Sequence, residues 1–464
     1  MKNLYLLALV LLFSACNNPK ETVTKQKPKT DKPNIIILLT DDLGYGELTS
    51  YGQEVIKTPY MDQLAAGGMR FTDFYAGTSV CSPSRAVLMT GMHTGHVNIR
   101  GNKGDTEGGK WDRIALKKSE ITIAEMLKVA GYQTAMIGKW HLGVPEDIST
   151  WAHGRGFDYA VQEQWGKGAD GRMIDERMHW INGQQDSLFY DYNEHSCLDD
   201  FRTNFALDYL DNKEEDKPFF MYMSYRIPHA HEFFLSETDL YKEHQQEWPE
   251  IERRHAARIT MLDGLIEKLM KKLEAKGELE NTLIFFTSDN GPQNENHHDY
   301  HFFNSSGGLK GHKRDVYEGG VRIPAIAYWK GTIKPSVSNH MAAFYDLMPT
   351  LAEVAGIEAP EQTDGLSFLP LLTGKEQAKH EFLYWEIQEG RSVKGFRQAV
   401  RMDDWKVVRY GDNYKTELYN MKGDIYEEND VASQHPDIVA KGEEILKRES
   451  VKNAHWPYSG GVWK

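Results

Sequence analysis

Four short apolar runs constrain this chain more than any other feature: Asn34 to Thr40 (NIIILLT), Thr134 to Ile137, Lys217 to Ser224 (KPFFMYMS) and Thr282 to Thr287 (TLIFFT). Each is too short for a helix and apolar at consecutive positions, so each reads as a strand covered on both faces. Helical patterns lie between them. Thr122 and Glu125 form a capping box ahead of Ile123, Met126, Leu127 and Ala130 on one face, and Gly131 stops that helix. Ile259, Leu262, Ile266, Leu269 and Leu273 form one stripe over Arg254 to Lys276, closed by Gly277. Strands alternating with helices imply right-handed crossovers, hence an α/β fold with a large, mostly parallel sheet sandwiched by helices.

In such sheets ligands bind beyond the carboxyl ends of the strands. Asp41-Asp42, Lys139 with His141, His229, and Asp289-Asn290 each follow an expected strand end, and this recurrence points to one site. After Leu371-Leu372-Thr373-Gly374 the texture changes to short strand-like pieces around Phe382 to Glu386, Gln398 to Met402, Trp405 to Tyr410 and Glu417 to Asn420. They suggest a small antiparallel sheet, with an amphipathic helix from about Pro436 to Arg448 packed on it. A chain of 464 residues suits this division, with a large domain over 33–375 and a small α+β subdomain over 376–464.

The chain opens with Met1-Lys2-Asn3, an apolar run from Leu4 to Phe13, and Ser14-Ala15-Cys16. The run falls well short of the roughly 20 residues of a spanning helix, so residues 1–16 read as an export signal ending at a lipobox cysteine. Residues 17–32 are polar, with Lys and Pro, and read as a flexible tether. The expectation is an exported lipoprotein, in the outer membrane or periplasm of a Gram-negative bacterium, touching membrane only through its lipid. A net charge of -14 argues against nucleic acid as a partner, and an anionic substrate would need a local basic pocket. Of three cysteines, Cys16 is consumed by processing, and Cys81 and Cys197 cannot build a disulfide framework. Cys197 suits packing. Cys81, in a polar Ser/Pro setting, invites a chemical explanation.

Aspartates and asparagines often do no more than open turns after strands. At two strand ends, however, Asp41, Asp42, Asp289 and Asn290 could together supply the hard oxygen donors a Ca²⁺ or Mg²⁺ site needs. Cys81-Ser82-Pro83-Ser84-Arg85 precedes an apolar stretch, with Pro83 suited to a first helical turn, so Cys81 would stand at a helix N-terminus where amides and Arg85 favour an anion. Lys139, His141 and His229 can contact an anion or move a proton. Lys310 sits among Gly307, Gly308 and Gly311, where backbone can approach a ligand closely.

These residues together resemble a type I sulfatase of the alkaline-phosphatase-like superfamily. The cysteine signature C-x-P-S-R, ending in Thr90-Gly91, is complete, as is the second signature from Gly131-Tyr132 to Gly138-Lys139-Trp140-His141. Ser288-Asp289-Asn290-Gly291 and Glu318-Gly319-Gly320 follow in order, so the resemblance spans about residues 33 to 375. Ala399-Val400-Arg401, Trp405-Lys406 and Glu417-Leu418-Tyr419 resemble the small subdomain more loosely, with Gly423-Asp424-Ile425 where Asp-Pro is usual.

The resemblance implies that a maturation enzyme oxidises Cys81 to formylglycine (3-oxoalanine), whose hydrate attacks sulfur. It implies one Ca²⁺ held by Asp41, Asp42, Asp289, Asn290 and an oxygen of residue 81. Arg85, Lys139 and Lys310 would hold the formylglycine and sulfate. His229, alone or with Lys310, would protonate the departing alcohol, and His141 would take a proton so that sulfate leaves. His231 stands where Pro is frequent and is a candidate substrate contact. The implied substrate is a sulfated carbohydrate, of algal (ulvan or carrageenan type) or host origin. Aromatic and His residues from Trp151 to His195 and around Glu295 to His301 are candidates for lining a sugar subsite. Rival readings are a phosphodiesterase or phosphonate monoester hydrolase of the same superfamily, and a lipoprotein that binds glycans without turnover.

Overall fold

The computed structural model of the protein describes residues 32–163, 166–167, 173–174, 178–189, 194–229, 239–411 and 415–461. Residues 1–31, which hold the expected export signal, Cys16 and nearly all of the expected tether, lie outside the described residues, as does His231. Among the described residues no helix is long and apolar enough to cross a membrane.

The apolar runs are the heart of a ten-stranded sheet, in the order Gln184–Phe189, Met178–Ile181, Tyr159–Glu163, Gln133–Gly138, Phe219–Pro228, Asn34–Asp41, Thr282–Ser288, Ala325–Tyr328, Met69–Phe71, Ser336–Ser338. The five strands from Tyr159–Glu163 to Thr282–Ser288 run parallel, and the sheet turns antiparallel on either side of them. Side chains alternate across the sheet. Ile35, Ile37 and Leu39 pack with helices Cys81–Thr90 and Ile123–Val129 on one face. Ile36 and Leu38 pack with Met61, Ala206, Ile259 and Leu262 on the other. Every residue of Asn34–Asp41 is therefore buried, which explains its unbroken apolar sequence.

Two elements run beyond the lengths that their apolar patterns mark. The strand at Lys217 to Ser224 continues to Pro228, because the buried Asp199 carboxylate accepts from the backbone amides of Arg226 (2.7 Å) and Ile227 (2.9 Å). The helix at Arg254 starts earlier, at Glu250 after Pro249, with Glu250 and Glu252 in the first turn where helix amides favour negative charge. The Thr122 and Glu125 capping box forms, and each side chain takes the other's backbone amide.

The small antiparallel sheet consists of Leu383–Gln388, Phe396–Met402, Trp405–Tyr410 and Thr416–Asn420. Helix Pro436–Arg448 sets Ile445 and Leu446 on Val400, Val407 and Leu418. The opposite face shares a core with the large sheet through Trp385, Ile387 and Ala399. Glu318 clasps the two parts: it accepts from Arg322 Nε (2.7 Å), Tyr75 (2.9 Å) and Lys406 Nζ (2.8 Å). Burial alone would raise this carboxyl, yet Lys406, Arg322 and Arg401 hold it well below the usual carboxylate range.

Candidate active site

Register carries the catalytic candidates to one edge. Thr40 lies opposite Ser288, Asp41 opposite Pro228, and Ser224 opposite Gly138, so Asp41, Lys139, His229 and Asp289 emerge side by side. The turns are tied down at once: Asp289 N donates to Thr40 O (3.0 Å) and Lys139 N to Ser224 O (3.1 Å). Gly138 has a φ of +112°, and a side-chain carbon there would stand 2.0 Å from Ser224 O, so only glycine admits this contact. Gly291 is needed for packing, since an added carbon would meet Gly319 O at 1.9 Å. Its bareness seats the Asp289-Asn290 turn directly on the Glu318-Gly319-Gly320 loop.

Asp41, Asp42 and Asp289 place three carboxylate oxygens within 4.8 Å of one another, all buried. Asp42, at φ 68°, receives Asn290 Nδ2 on Oδ1 (2.7 Å) and donates its own amide to Asp289 Oδ1 (3.0 Å). Asp41 Oδ1 and Asn290 Oδ1 are buried without a hydrogen-bond partner among the described residues. Two orphan oxygens beside crowded carboxylates are what an oxygen-liganded divalent cation satisfies, so these four residues fit calcium.

Cys81 opens helix Cys81–Thr90, whose ten residues are all buried. Its sulfur lies within 4.8 Å of a carboxylate oxygen of Asp41 and a ring nitrogen of His229. Burial, only partly offset by Lys139, pushes the thiol up, so the unmodified side chain stays protonated and is a poor nucleophile. One turn on, Arg85 donates from Nε to Asp289 Oδ2 (2.8 Å) and from Nη1 to Lys139 O (2.9 Å) and Ser224 Oγ (2.6 Å). Lys139 Nζ donates to Asp41 Oδ2 at 2.5 Å.

Electrostatics separate the three aspartates. Burial would raise Asp41, yet the charges of Lys139, Arg85 and Lys313 hold it well below the usual range. Asp42 is raised by burial, which Lys313 offsets only in part. Asp289 is pushed up to about 7 by burial and by the charge of Asp41. Without a cation these side chains cannot all remain ionised cheaply, a second sign of a cation site.

The structure corrects one assignment. Lys310 does not face this site: its Nζ donates to Tyr419 Oη (2.9 Å) and Glu427 O (3.2 Å) and sits 4.1 Å over the Tyr317 ring. Lys313 takes the place instead, with Nζ 2.8 Å from Asp42 Oδ2, 3.3 Å from Glu295 Oε2 and 3.4 Å from His229 Nε2. Gly311 turns the chain at φ 82° between the two lysines, and Lys313 N donates to Pro292 O (2.9 Å), which pins the second lysine against Asp42.

A cavity of about 180 Å³ opens over Cys81, Lys139, His141, His229 and Lys313. Its outer wall adds Asn102, Arg113, Glu163, Glu295 and Arg314. His141, at φ 59°, leaves Nδ1 without a hydrogen-bond partner among the described residues. Burial and the charges of Lys139, Arg113 and Arg85 keep its ring neutral. Burial likewise holds His229 well below its usual value. Lys313, Asn102, Arg113 and Arg314 went unmarked in the sequence; the signal for Lys313 was its place beside Lys310 in one glycine-rich loop. Of the aromatic and His candidates, Trp151 is buried against Trp180, His298 is buried, and His301 is exposed, so none of these lines the cavity.

A family model described as Sulfatase matches residues 33–357, and one described as N-sulphoglucosamine sulphohydrolase, C-terminal, matches 310–452. The chain is 33% identical over 432 residues to an arylsulfatase of Hemicentrotus pulcherrimus, covering 86% of this chain and 74% of that protein. It is 28% identical to the N-acetylgalactosamine-6-O-sulfatase of Bacteroides thetaiotaomicron, over 97% of this chain and 100% of that one. Among solved structures it resembles Ps i-CgsB in complex with k-i-k-neocarrahexaose, with a TM-score of 0.76, 25% identity and coverage of 93% and 94% of the two chains. The PsFucS1 sulfatase from Pseudoalteromonas sp. aligns with a TM-score of 0.70 and 25% identity over 90% of this chain and 89% of that one.

Proposed function

Because this chain belongs to the sulfatase family, we propose that this sulfuric ester hydrolase acts on sulfated carbohydrate, using a formylglycine made from Cys81 and one bound Ca²⁺. The observation that carries the proposal is the meeting of Cys81, Asp41 and His229 in one buried cluster, with Lys139 and Lys313 at the same cavity. Sulfated glycans are supported as the substrate class by relatives such as the N-acetylgalactosamine-6-O-sulfatase and the carrageenan-oligosaccharide complex of Ps i-CgsB.

Asp41, Asp42, Asp289 and Asn290 would hold the ion, and residue 81 would face it. When bound, Ca²⁺ supplies positive charge beside the nucleophile and the sulfate, and formylglycine supplies the attacking oxygen. The chain's own groups do the rest. Lys139 and Lys313 converge on the cavity from opposite loops, where a sulfate would meet two ammonium groups that need no reorganisation as its charge shifts. Arg85 braces the cluster by donating to Asp289, Ser224 and Lys139 O, and its buried Nη2, without a hydrogen-bond partner among the described residues, is left for an oxygen of residue 81 or of the sulfate. His229 is neutral and within 3.4 Å of Lys313 Nζ, and an arriving sulfate would draw a proton onto it for delivery to the leaving alcohol. His141, neutral with a bare Nδ1, is free to accept a proton on the nucleophile's side.

Cys81 is 2% exposed within a wholly buried helix, so the maturation enzyme must meet this segment before the domain closes around it. Residues 1–16 are read as a lipoprotein signal that places the enzyme at the outer membrane or in the periplasm. Peptide mass analysis after co-expression with a formylglycine-generating enzyme should show the thiol of Cys81 replaced by an aldehyde. A persistent thiol under those conditions would sink the formylglycine reading. Rates on an aryl sulfate, an aryl phosphate diester and defined sulfated oligosaccharides test the activity, and preference for the diester would overturn it.

A further inference from the structure

Outside the catalytic cavity, Glu47, His255 and His298 bring a carboxylate oxygen and two ring nitrogens within 4.8 Å of one another. From these residues we infer a second metal site, for a borderline transition cation of the zinc class rather than for calcium. The donor set decides the ion: two imidazoles and one carboxylate suit zinc, whereas calcium takes oxygen.

All three side chains are almost wholly buried, at 0%, 2% and 3% exposure in that order. They come from separate segments: the turn after strand Asn34–Asp41, helix Glu250–Ala275, and the loop after strand Thr282–Ser288. The two rings stack with centroids 3.9 Å apart. Glu47 Oε1 lies 2.5 Å from His255 Nε2, and Glu47 Oε2 accepts from Gly44 N at 2.7 Å. His298 Nδ1 lies 2.7 Å from Glu252 Oε2, while Glu252 Oε1 is taken by Asp299 N at 2.9 Å. With Nδ1 donating to that carboxylate, the neutral tautomer leaves its lone pair on Nε2.

That atom is buried and has no hydrogen-bond partner among the described residues. A purely structural hydrogen-bond network accounts for the Glu47–His255 and His298–Glu252 contacts and leaves His298 Nε2 unexplained. A cation accounts for it, and Glu252 then becomes the outer carboxylate that orients a ligating histidine. Tetrahedral zinc needs donors about 3.4 Å apart with both ring lone pairs aimed at it, so the stacked rings of His255 and His298 would turn apart as the cation displaces the proton shared by Glu47 and His255. Such an ion would staple the turn that follows Asp42 to the loop that carries Glu295, through residues that do not line the cavity.

The test uses the full chain, saturated with Ca²⁺ and titrated with Co²⁺ as a visible surrogate for zinc. The expected result is one equivalent of Co²⁺ with absorption typical of a four-coordinate site, displaced by Zn²⁺. H298Q, which keeps a donor for Glu252 and lacks the ring nitrogen, should bind Co²⁺ at least about tenfold more weakly and lose the spectrum. No uptake by the parent chain, or identical binding by H298Q, overturns the site. Crystals of the parent chain grown with Zn²⁺ decide the matter without any variant. An anomalous peak among Glu47, His255 and His298 supports the site, and its absence there rejects it.

Discussion

Lys313 Nζ stands 2.8 Å from Asp42 Oδ2 and 3.4 Å from His229 Nε2, so one ammonium group links a candidate metal ligand to the candidate proton donor. Replacing it should strip charge from the place where the sulfate arrives. K313A is expected to lower kcat on an aryl sulfate by about 10²- to 10³-fold, the loss typical of one preorganised charge-stabilising donor. K310A should keep kcat and instead lower the thermal midpoint, since Lys310 joins Tyr317, Tyr419 and Glu427, contacts worth about 1–2 kcal/mol together. The reverse pattern would show that the wrong lysine has been placed at the sulfate.

His229 should matter most when the leaving group is poor. An alkoxide on a sugar needs a proton as the ester bond breaks, whereas an activated phenolate departs without one. H229A is therefore expected to cost about 10²- to 10⁴-fold on a sugar sulfate and far less on an activated aryl sulfate. Equal losses on both substrates would remove His229 from the role of acid.

Chelation should abolish turnover and lower the thermal midpoint, because Asp41, Asp42 and Asp289 are then left buried within 4.8 Å of one another. Added Ca²⁺ should restore both. N290A removes the bare Oδ1 and is expected to weaken Ca²⁺ about tenfold or more by calorimetry. Unchanged Ca²⁺ affinity in that variant would exclude Asn290 as a ligand.

Glu163 sets an acid limit on stability. Burial alone would raise its carboxyl, but Arg202 and Arg226 outweigh burial and bring it from its ordinary 4.5 down to about 2. A carboxyl lowered by folding contributes stability that is complete above pH 4.5 and lost as pH falls through about 2. E163Q should therefore melt well below the parent at neutral pH, by about 3–5 kcal/mol for a broken buried pair. The gap should close on acidification over that window; a gap independent of pH would contradict the lowered carboxyl.

Much of the site was legible because the relevant signals are local. A continuous apolar run ending in Asp41-Asp42 or Ser288-Asp289-Asn290 names both a strand and its polar end, and parallel pairing puts such ends on one edge whatever the loops do. The cysteine helix was readable from Pro83 and the apolar residues after it. Harder to see were Asn102 and Arg113, which come from connecting segments, and Glu163, which ends strand Tyr159–Glu163; all three reach the cavity only through tertiary packing.

The amino-acid sequence by itself determined the α/β class, the four apolar runs at the heart of the sheet, the residue that opens the buried cysteine helix and the acidic residues at two strand ends, since each rests on periodicity or on adjacency along the chain. Tertiary structure alone decided which lysine faces the cavity over Cys81. Lys310 and Lys313 share one loop and one chemistry, and no local pattern separates them. Their roles part because Gly291 lets its turn press on Gly319, Gly311 bends the chain, and Pro292 O anchors Lys313 N, so that one lysine turns to Asp42 and the other to Tyr317 and to Tyr419 of the small sheet.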